Sequence, residues 1–263
     1  MYPIIFEYGP IAISTLWVFI IIGFLVSSLS ITKFALTLRL KLNFLRIYFF
    51  KILLSGLVIS RIAFILENTD YYFSDFGFSK LFELISIWDK GLSFWGAIAG
   101  IVIAFYWYAK RTRENIMKWG DTLTVSILFG MIFGYIGAFF DGTNYGSPTE
   151  LPWGISFENI EIPYTIPIHP VQIYGALFLI ALTTTLVILL LKNKVKQGNV
   201  MFIGIISYSG FRFLEEFWRG NEAIEIFGIR FAHIASGLVF IISLIFFLNR
   251  YNLFDSIIKK LKK

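Results

Sequence analysis

Seven runs of mostly apolar residues, each close to the length that crosses a bilayer, decide what this chain can be. They fall at about 10–31, 47–67, 92–109, 120–140, 171–191, 199–217 and 230–249. Roughly 20 apolar residues in a helix cover the hydrocarbon of a membrane. Lipid offers an open backbone no hydrogen-bond partner, so runs of this kind have to be helical. With 57% of its 263 residues hydrophobic and only 15% charged, a water-soluble domain could not hide the surplus. The expectation is an all-α membrane protein with seven transmembrane helices in a single domain over residues 1–263. The start MYPIIFEYGP has no basic region, so the first run reads as a span and not as a cleaved signal. The absence of cysteine excludes disulfides, thiolate metal sites and a cysteine nucleophile.

The charges between the runs sort by side. Lys33, Arg39, Lys41, Arg46 and Lys51 cluster around the first connection, Lys110, Arg111, Arg113 and Lys118 around the third, and Lys192, Lys194 and Lys196 around the fifth. Arg250, Lys259, Lys260, Lys262 and Lys263 follow the seventh run. Residues 141–170, by contrast, hold no Lys or Arg and carry Asp141, Glu150, Glu158 and Glu161. Excess Lys and Arg mark the cytoplasmic side, which places the N-terminus outside and the C-terminus in the cytoplasm. The net charge of +6 then belongs to the cytoplasmic rim, and no nucleic-acid partner is expected. The stretch FDSIIKKLKK (254–263) reads as a short amphipathic helix on anionic lipid.

One stretch breaks the apolar pattern: FFDGTNYGSPTELPWG, residues 139–154, at the outer mouth of the fourth run. After it, ISFENIEIPYTIPIH alternates apolar and polar residues, as a short external hairpin between the fourth and fifth helices would. Gly130, Gly134 and Gly137 in the fourth run, and Gly96 and Gly100 in the third, suit close helix packing. Ionisable groups inside a span are costly and call for a reason. Arg61 lies in LVISRIAFIL, and Arg212 in YSGFRFLEEFWRG beside Glu215, Glu216 and Arg219. Both arginines fall near the outer end of their runs, where guanidinium groups can grip a lipid phosphate in a bidentate way. The plainer reading is that Arg212 pairs with Glu216 one turn on, and Arg61 with a carboxylate such as Glu67.

His169 opens HPVQIYGALF with Gln172 and Tyr174 close by, and His233 stands near the outer end of the seventh run. A histidine at a helix start is as readily a strut as a base. Two histidines without cysteine give too few ligands for zinc. The GxSxG, P-loop and HExxH patterns are missing, which argues against enzymes built on them. Asp121 and Asp141 sit at span ends, where a transporter would want a mid-span acid.

Four stretches in order, GLSFWGAIAG (91–100), GYIGAFFDGTNYGSPTELPWG (134–154), HPVQIYGAL (169–177) and YSGFRFLEEFWR (208–219), resemble the prolipoprotein diacylglyceryl transferase family. LLSGLVISRIAFILEN, with Arg61, is similar to the family's second span, and the resemblance covers about residues 10–245. It implies transfer of diacylglyceryl from phosphatidylglycerol to the lipobox cysteine of a prolipoprotein, in a bacterial plasma membrane, facing the outer leaflet and without a cofactor. It also implies residues. Arg212, His169 and Tyr135 stand at candidate catalytic positions. Arg61, Trp95, Asp141, Gly142, Asn144, Gln172, Tyr174, Glu216, Arg219 and His233 stand at candidate substrate-binding ones.

The chain departs from the family pattern at several of these places. Trp95 stands where a histidine is usual, and Tyr135 where an arginine is regarded as essential. Ala138 and Asp141 replace asparagines, Thr143 and Gly175 replace glutamates, and His233 replaces a glutamine. A non-catalytic lipid- or lipoprotein-binding relative is therefore the second reading, and a small transporter the third.

Overall fold

A computed structural model of the chain describes residues 4–9, 11–73, 91–157, 162–192, 195–223 and 225–251. The expected tail helix at 254–263, Lys194, and the Glu158 and Glu161 of the expected hairpin lie outside these residues. Among them the chain forms seven α-helices of 17 to 26 residues. A helix covers most of each of the seven apolar runs, and five of these helices are long and apolar enough to cross a membrane. The chain divides into two compact units, residues 38–116 and residues 1–37 with 117–263.

In the unit of residues 38–116, helix α2 (Leu42–Glu67) leads into the short α3 (Thr69–Phe73), and α4 (Phe94–Arg111) packs along α2. Glycine makes that packing close. A Cβ on Gly100 would come within 2.8 Å of the Ser55 carbonyl, and one on Gly96 within 3.0 Å of the Ser60 Cα. Ser93 caps α4: its Oγ accepts from the Gly96 N–H at 3.3 Å and donates to Glu67 at 2.6 Å. Such a cap satisfies a backbone donor that the first turn of a helix leaves open.

The larger unit begins with a two-stranded ribbon, β1 (Ile4–Tyr8) and β2 (Ile11–Ser14), turning through Gly9 at φ 58°. The first helix, α1, accordingly runs Thr15–Thr37 and not 10–31. The residues before it, IIFEYGPIAIS, are rich in β-branched side chains and broken by Gly–Pro, which favours paired strands over a helical start. Four helices follow: α5 (Ile116–Asp141), α6 (Val171–Lys192), α7 (Asn199–Glu215) and α8 (Phe231–Arg250). A 3₁₀ turn at Glu216–Trp218 and the two-residue strands β3 (Glu225–Ile226) and β4 (Ile229–Arg230) link α7 to α8.

Large apolar side chains cover the outside of the helices as well as the interior, where Trp119, Leu179 and Leu186 are buried. Only 39% of the most apolar stretch of α5, and 11% of that of α8, is buried inside the protein. Leu, Ile and Phe side chains such as Phe24, Ile127, Leu177 and Phe246 point outward, while Asp121, Ser126, Gln172, Thr183, Glu215 and Glu216 are buried. Helices in lipid gain little from hiding leucine, so small and polar residues share the contacts with the buried apolar ones. Gly23 of α1 and Gly130 of α5 show this: a Cβ on either would fall 2.6 Å from the other's carbonyl oxygen. Gly137 likewise admits Phe19. Gly134 departs from the packing expectation, since nothing lies within 4 Å of where its Cβ would be. It lines a cavity.

The two ends of this unit are tied differently. At one, Asp121 accepts from the N–H groups of Gly198 at 2.6 Å and Met201 at 2.8 Å, anchoring the start of α7. There Arg250 also donates to the Gln197 carbonyl, and Asn199 to the Tyr251 hydroxyl. The other end gathers the polar loops and the acid–base pairs.

Candidate functional site

The polar stretch after α5 folds as the middle of three extended segments. Ser147 N–H donates to the Trp218 carbonyl at 2.8 Å and Gly220 N–H to Tyr145 at 3.0 Å on one side. On the other, His169 N–H donates to Ser147 and Thr149 N–H to Pro167, at 3.0 and 2.9 Å. Gly146 makes this possible, because a Cβ there would collide with the His169 carbonyl. Among the described residues of the stretch expected to form a hairpin, Ile155 pairs antiparallel with Ile168, bonded twice at 3.0 Å. Gly142 and Asn144, at φ 83° and 57°, turn the chain off the end of α5. The loop is thus stitched to the start of α6 and to the end of α7, and it delivers Asn144 to one place.

That place is a cavity of about 300 Å³ lined by Met131, Gly134, Tyr135, Ala138, Asn144, Gln172, Tyr208, Arg212, Glu215 and Arg219. The α5 contribution recurs at 131, 134, 135 and 138, one face of a helix. The α7 contribution at 208, 212 and 215 does the same. Gln172 is 1% exposed; its amide donates to the Thr143 carbonyl at 2.8 Å, and its Oε1 has no protein partner.

The cavity floor is an ion network. Glu215 accepts from the Tyr135 hydroxyl at 3.0 Å and pairs with Arg212 at 3.1 Å. Arg212 also pairs with Glu216, as the plainer sequence reading had it. Glu216 further meets Arg219 at 3.8 Å and Arg230 at 2.8 Å. Both carboxylates are buried, while Arg212 and Arg219 keep 20% and 11% of their side chains exposed. Removing charges from water is costly unless each is compensated, so these residues stand or fall together. Arg219 lies outside the helices; burial first, and then Arg212, pulls its pKa below the usual arginine value.

Other candidates do not line the cavity. Asp141 accepts from Ser14 Oγ at 2.8 Å and so ties the ribbon to the end of α5. Tyr174 accepts from the Trp153 indole at 2.8 Å and lies 3.3 Å from His169 Nδ1. Burial lowers the pKa of His169, favouring its neutral form. The ring of His233 sits edge-on to Phe213 and Phe217 at 5.0 and 4.5 Å. Arg61 and Trp95 belong to the other unit. There Arg61, 7% exposed, donates to the Gly91 carbonyl at 2.8 Å and to the Tyr72 hydroxyl at 3.2 Å, while Trp95 is half exposed on α4.

Sequence reasoning passed over Tyr208, Glu215 and Arg230 as site residues. Tyr208 and Glu215 carried a signal, since 208, 212 and 215 share a helix face. Arg230 carried none: it stands 14 residues beyond Glu216 in the chain, with no periodicity to join them.

A multi-span helical membrane protein with a buried arginine–carboxylate cluster at one end of its helices, under a cavity capped by a polar loop, is the class that fold and site define. The chain belongs to the prolipoprotein diacylglyceryl transferase family, whose sequence profile matches residues 3–249. It is similar to proteins named phosphatidylglycerol–prolipoprotein diacylglyceryl transferase. With that of Polynucleobacter necessarius it shares 30% identity over 60% of this chain and 59% of the relative. For Campylobacter lari the identity is 35% over 60% and 55%, and for Proteus mirabilis 32% over 64% and 65%. The chain thus spans less than two thirds of the length of these relatives.

Proposed function

We propose that this protein transfers the diacylglyceryl group of phosphatidylglycerol to the lipobox cysteine of a prolipoprotein, the first step of lipoprotein maturation. The cavity carries the reading: Arg212 and Arg219 face it, Tyr135, Tyr208, Asn144 and Gln172 complete its polar wall, and one end of the bundle opens it to a lipid headgroup. Family membership and the names of the relatives support the same reaction.

In this reaction the cysteine sulfur attacks the glyceryl carbon bound to the phosphate oxygen. A carbon–sulfur bond forms as the carbon–oxygen bond breaks, the thiol proton is lost to solvent, and glycerol phosphate leaves with one more negative charge. Charge therefore grows on the phosphate, where fixed guanidinium groups stabilise the transition state more than the ground state. Arg212 is the main phosphate contact and Arg219 its neighbour. Glu215 and Glu216 hold both in place, and Gln172, Asn144, Gly142 and the Asp141 turn shape the entrance. His169 and Tyr174 organise the loop above it.

The reading includes an orientation. Lys33, Lys118, Lys192, Lys196 and Arg250 lie toward the Asp121 end of the bundle and mark it as cytoplasmic, so the cavity opens to the outer leaflet of a bacterial plasma membrane. There it meets both phosphatidylglycerol and the lipobox segment of an exported substrate.

The test is a mass shift. Purified protein with phosphatidylglycerol and a single-cysteine lipobox peptide is expected to add one diacylglyceryl unit to the peptide. No shift, with phosphatidylglycerol still bound, would favour the second reading: a relative that kept the lipid site and, with Tyr135 and Gly175 in place of charged residues, lost the transfer.

A further inference from the structure

Arg230 opens α8, outside the motifs that carry the family resemblance, yet it reaches into the centre of the ion network. Glu216 divides its oxygens: Oε2 serves Arg212 and Arg219, and Oε1 faces Arg230 Nε at 2.8 Å. The rest of the guanidinium fixes backbone, with Nη1 donating to the Arg219 carbonyl at 2.9 Å and Nη2 to that of Asn221 at 2.6 Å. Those carbonyls flank Gly220, the residue that pairs with Tyr145 in the polar loop.

The charges make the case. Three guanidinium groups, Arg212, Arg219 and Arg230, oppose two carboxylates, Glu215 and Glu216, and leave one positive charge. Without Arg230 the balance is two against two, a neutral cluster with nothing left for an anion. Arg230 does not line the cavity, whereas Arg212 and Arg219 do. By taking one side of Glu216, it leaves the surplus on the two arginines that face the cavity. A phosphodiester carries one negative charge, which matches that surplus.

We propose that Arg230 is a positioning residue for the lipid phosphate: it offsets Glu216, so that Arg212 and Arg219 hold a phosphodiester monoanion. This rests on the reading of the cavity as the phosphatidylglycerol site. Steady-state kinetics of the full chain in detergent micelles, with phosphatidylglycerol varied and a lipobox peptide fixed, test it.

Arg230→Gln should raise the KM for phosphatidylglycerol by about tenfold or more, with a smaller effect on kcat. Arg230→Lys keeps the charge but gives up the paired backbone bonds; it should hold KM near the wild-type value while lowering Tm. An unchanged KM in Arg230→Gln, or an Arg230→Lys variant with the raised KM of Arg230→Gln, would overturn the proposal and leave Arg230 a purely structural residue. Should Arg230→Gln fail to fold, Arg230→Lys decides: its KM should rise relative to the wild type between about pH 8 and pH 10.5, where a lysine begins to lose its charge and an arginine does not, and KM values that stay parallel would contradict the charge balance. Arg212→Ala in the same assay separates the two levels. If Arg212→Ala loses dependence on phosphatidylglycerol and Arg230→Gln does not, only the role of Arg230 falls. If the wild type shows no such dependence, the cavity reading falls with it.

Discussion

The ring of Tyr135 occupies the space in which a side chain at position 175 would have to start. A Cβ built on Gly175 collides with Cδ1, Cε1 and Cζ of that ring. Tyr135 on α5 and Gly175 on α6 are therefore one packing unit, and the hydroxyl at its far end reaches Glu215 at 3.0 Å. Gly175→Ala should push the ring aside and weaken that bond, costing about 1–3 kcal/mol of stability. Thermal unfolding in detergent checks this, and Tyr135→Ala in the same chain should recover part of the loss. An unchanged Tm for Gly175→Ala would mean the ring yields freely.

The same contact explains two departures from the family at once. The resemblance places an arginine where Tyr135 stands and a glutamate where Gly175 stands, an oppositely charged pair at adjoining positions. Here both are replaced together by a ring and the gap it fills. Tyr135→Arg alone should lower transfer, because an arginine there competes with Arg212 for Glu215. Tyr135→Arg with Gly175→Glu should recover it. Initial rates of peptide modification measure both variants, and a gain from Tyr135→Arg alone would show that the positions act independently.

Much of this was legible in the residues. Helices cover the seven apolar runs because length and hydrophobicity suffice to specify a helix in lipid, and the Arg212–Glu216 pair follows from one turn of spacing. What stayed hidden was long-range. Nothing local tells that Arg230 reaches back to Glu216, or that Tyr135 and Gly175 touch across two helices. Gly134 has the same small-residue signature as Gly130 and Gly137, yet it opens a cavity where they close a contact. The first run misled for a local reason, since β-branched residues before Thr15 read as apolar length while folding as a ribbon.

Asp121 holds the opposite end of the bundle. Its two oxygens accept from Gly198 and Met201, doing for α7 what an N-cap side chain does from within the helix. Asp121→Ala leaves those N–H groups without an acceptor and should cost about 1–3 kcal/mol. A Tm lower by several degrees, with KM for phosphatidylglycerol unchanged, is the expected pattern. A changed KM would link the two ends in a way the fold does not suggest.

His169 gives the fold a pH dependence. Burial lowers its pKa in the folded state, so the unfolded chain binds the proton more readily. Stability from this source is present above the unfolded value, near 6.5, and declines as pH falls until the lowered folded pKa is passed. Tm measured between about pH 7.5 and 5 should drop further in the wild type than in His169→Gln. Parallel curves would remove His169 from the account.

The central claim is that Arg212 holds the phosphate of the lipid being cleaved, and one paired measurement reaches it directly. Wild type and Arg212→Ala, matched for thermal unfolding, are incubated with phosphatidylglycerol and a lipobox peptide, and the diacylglyceryl mass on the cysteine is followed in time. Modification by the wild type and a loss of about a thousandfold in Arg212→Ala is the predicted result. A folded Arg212→Ala protein that still modifies the peptide at a comparable rate would contradict it.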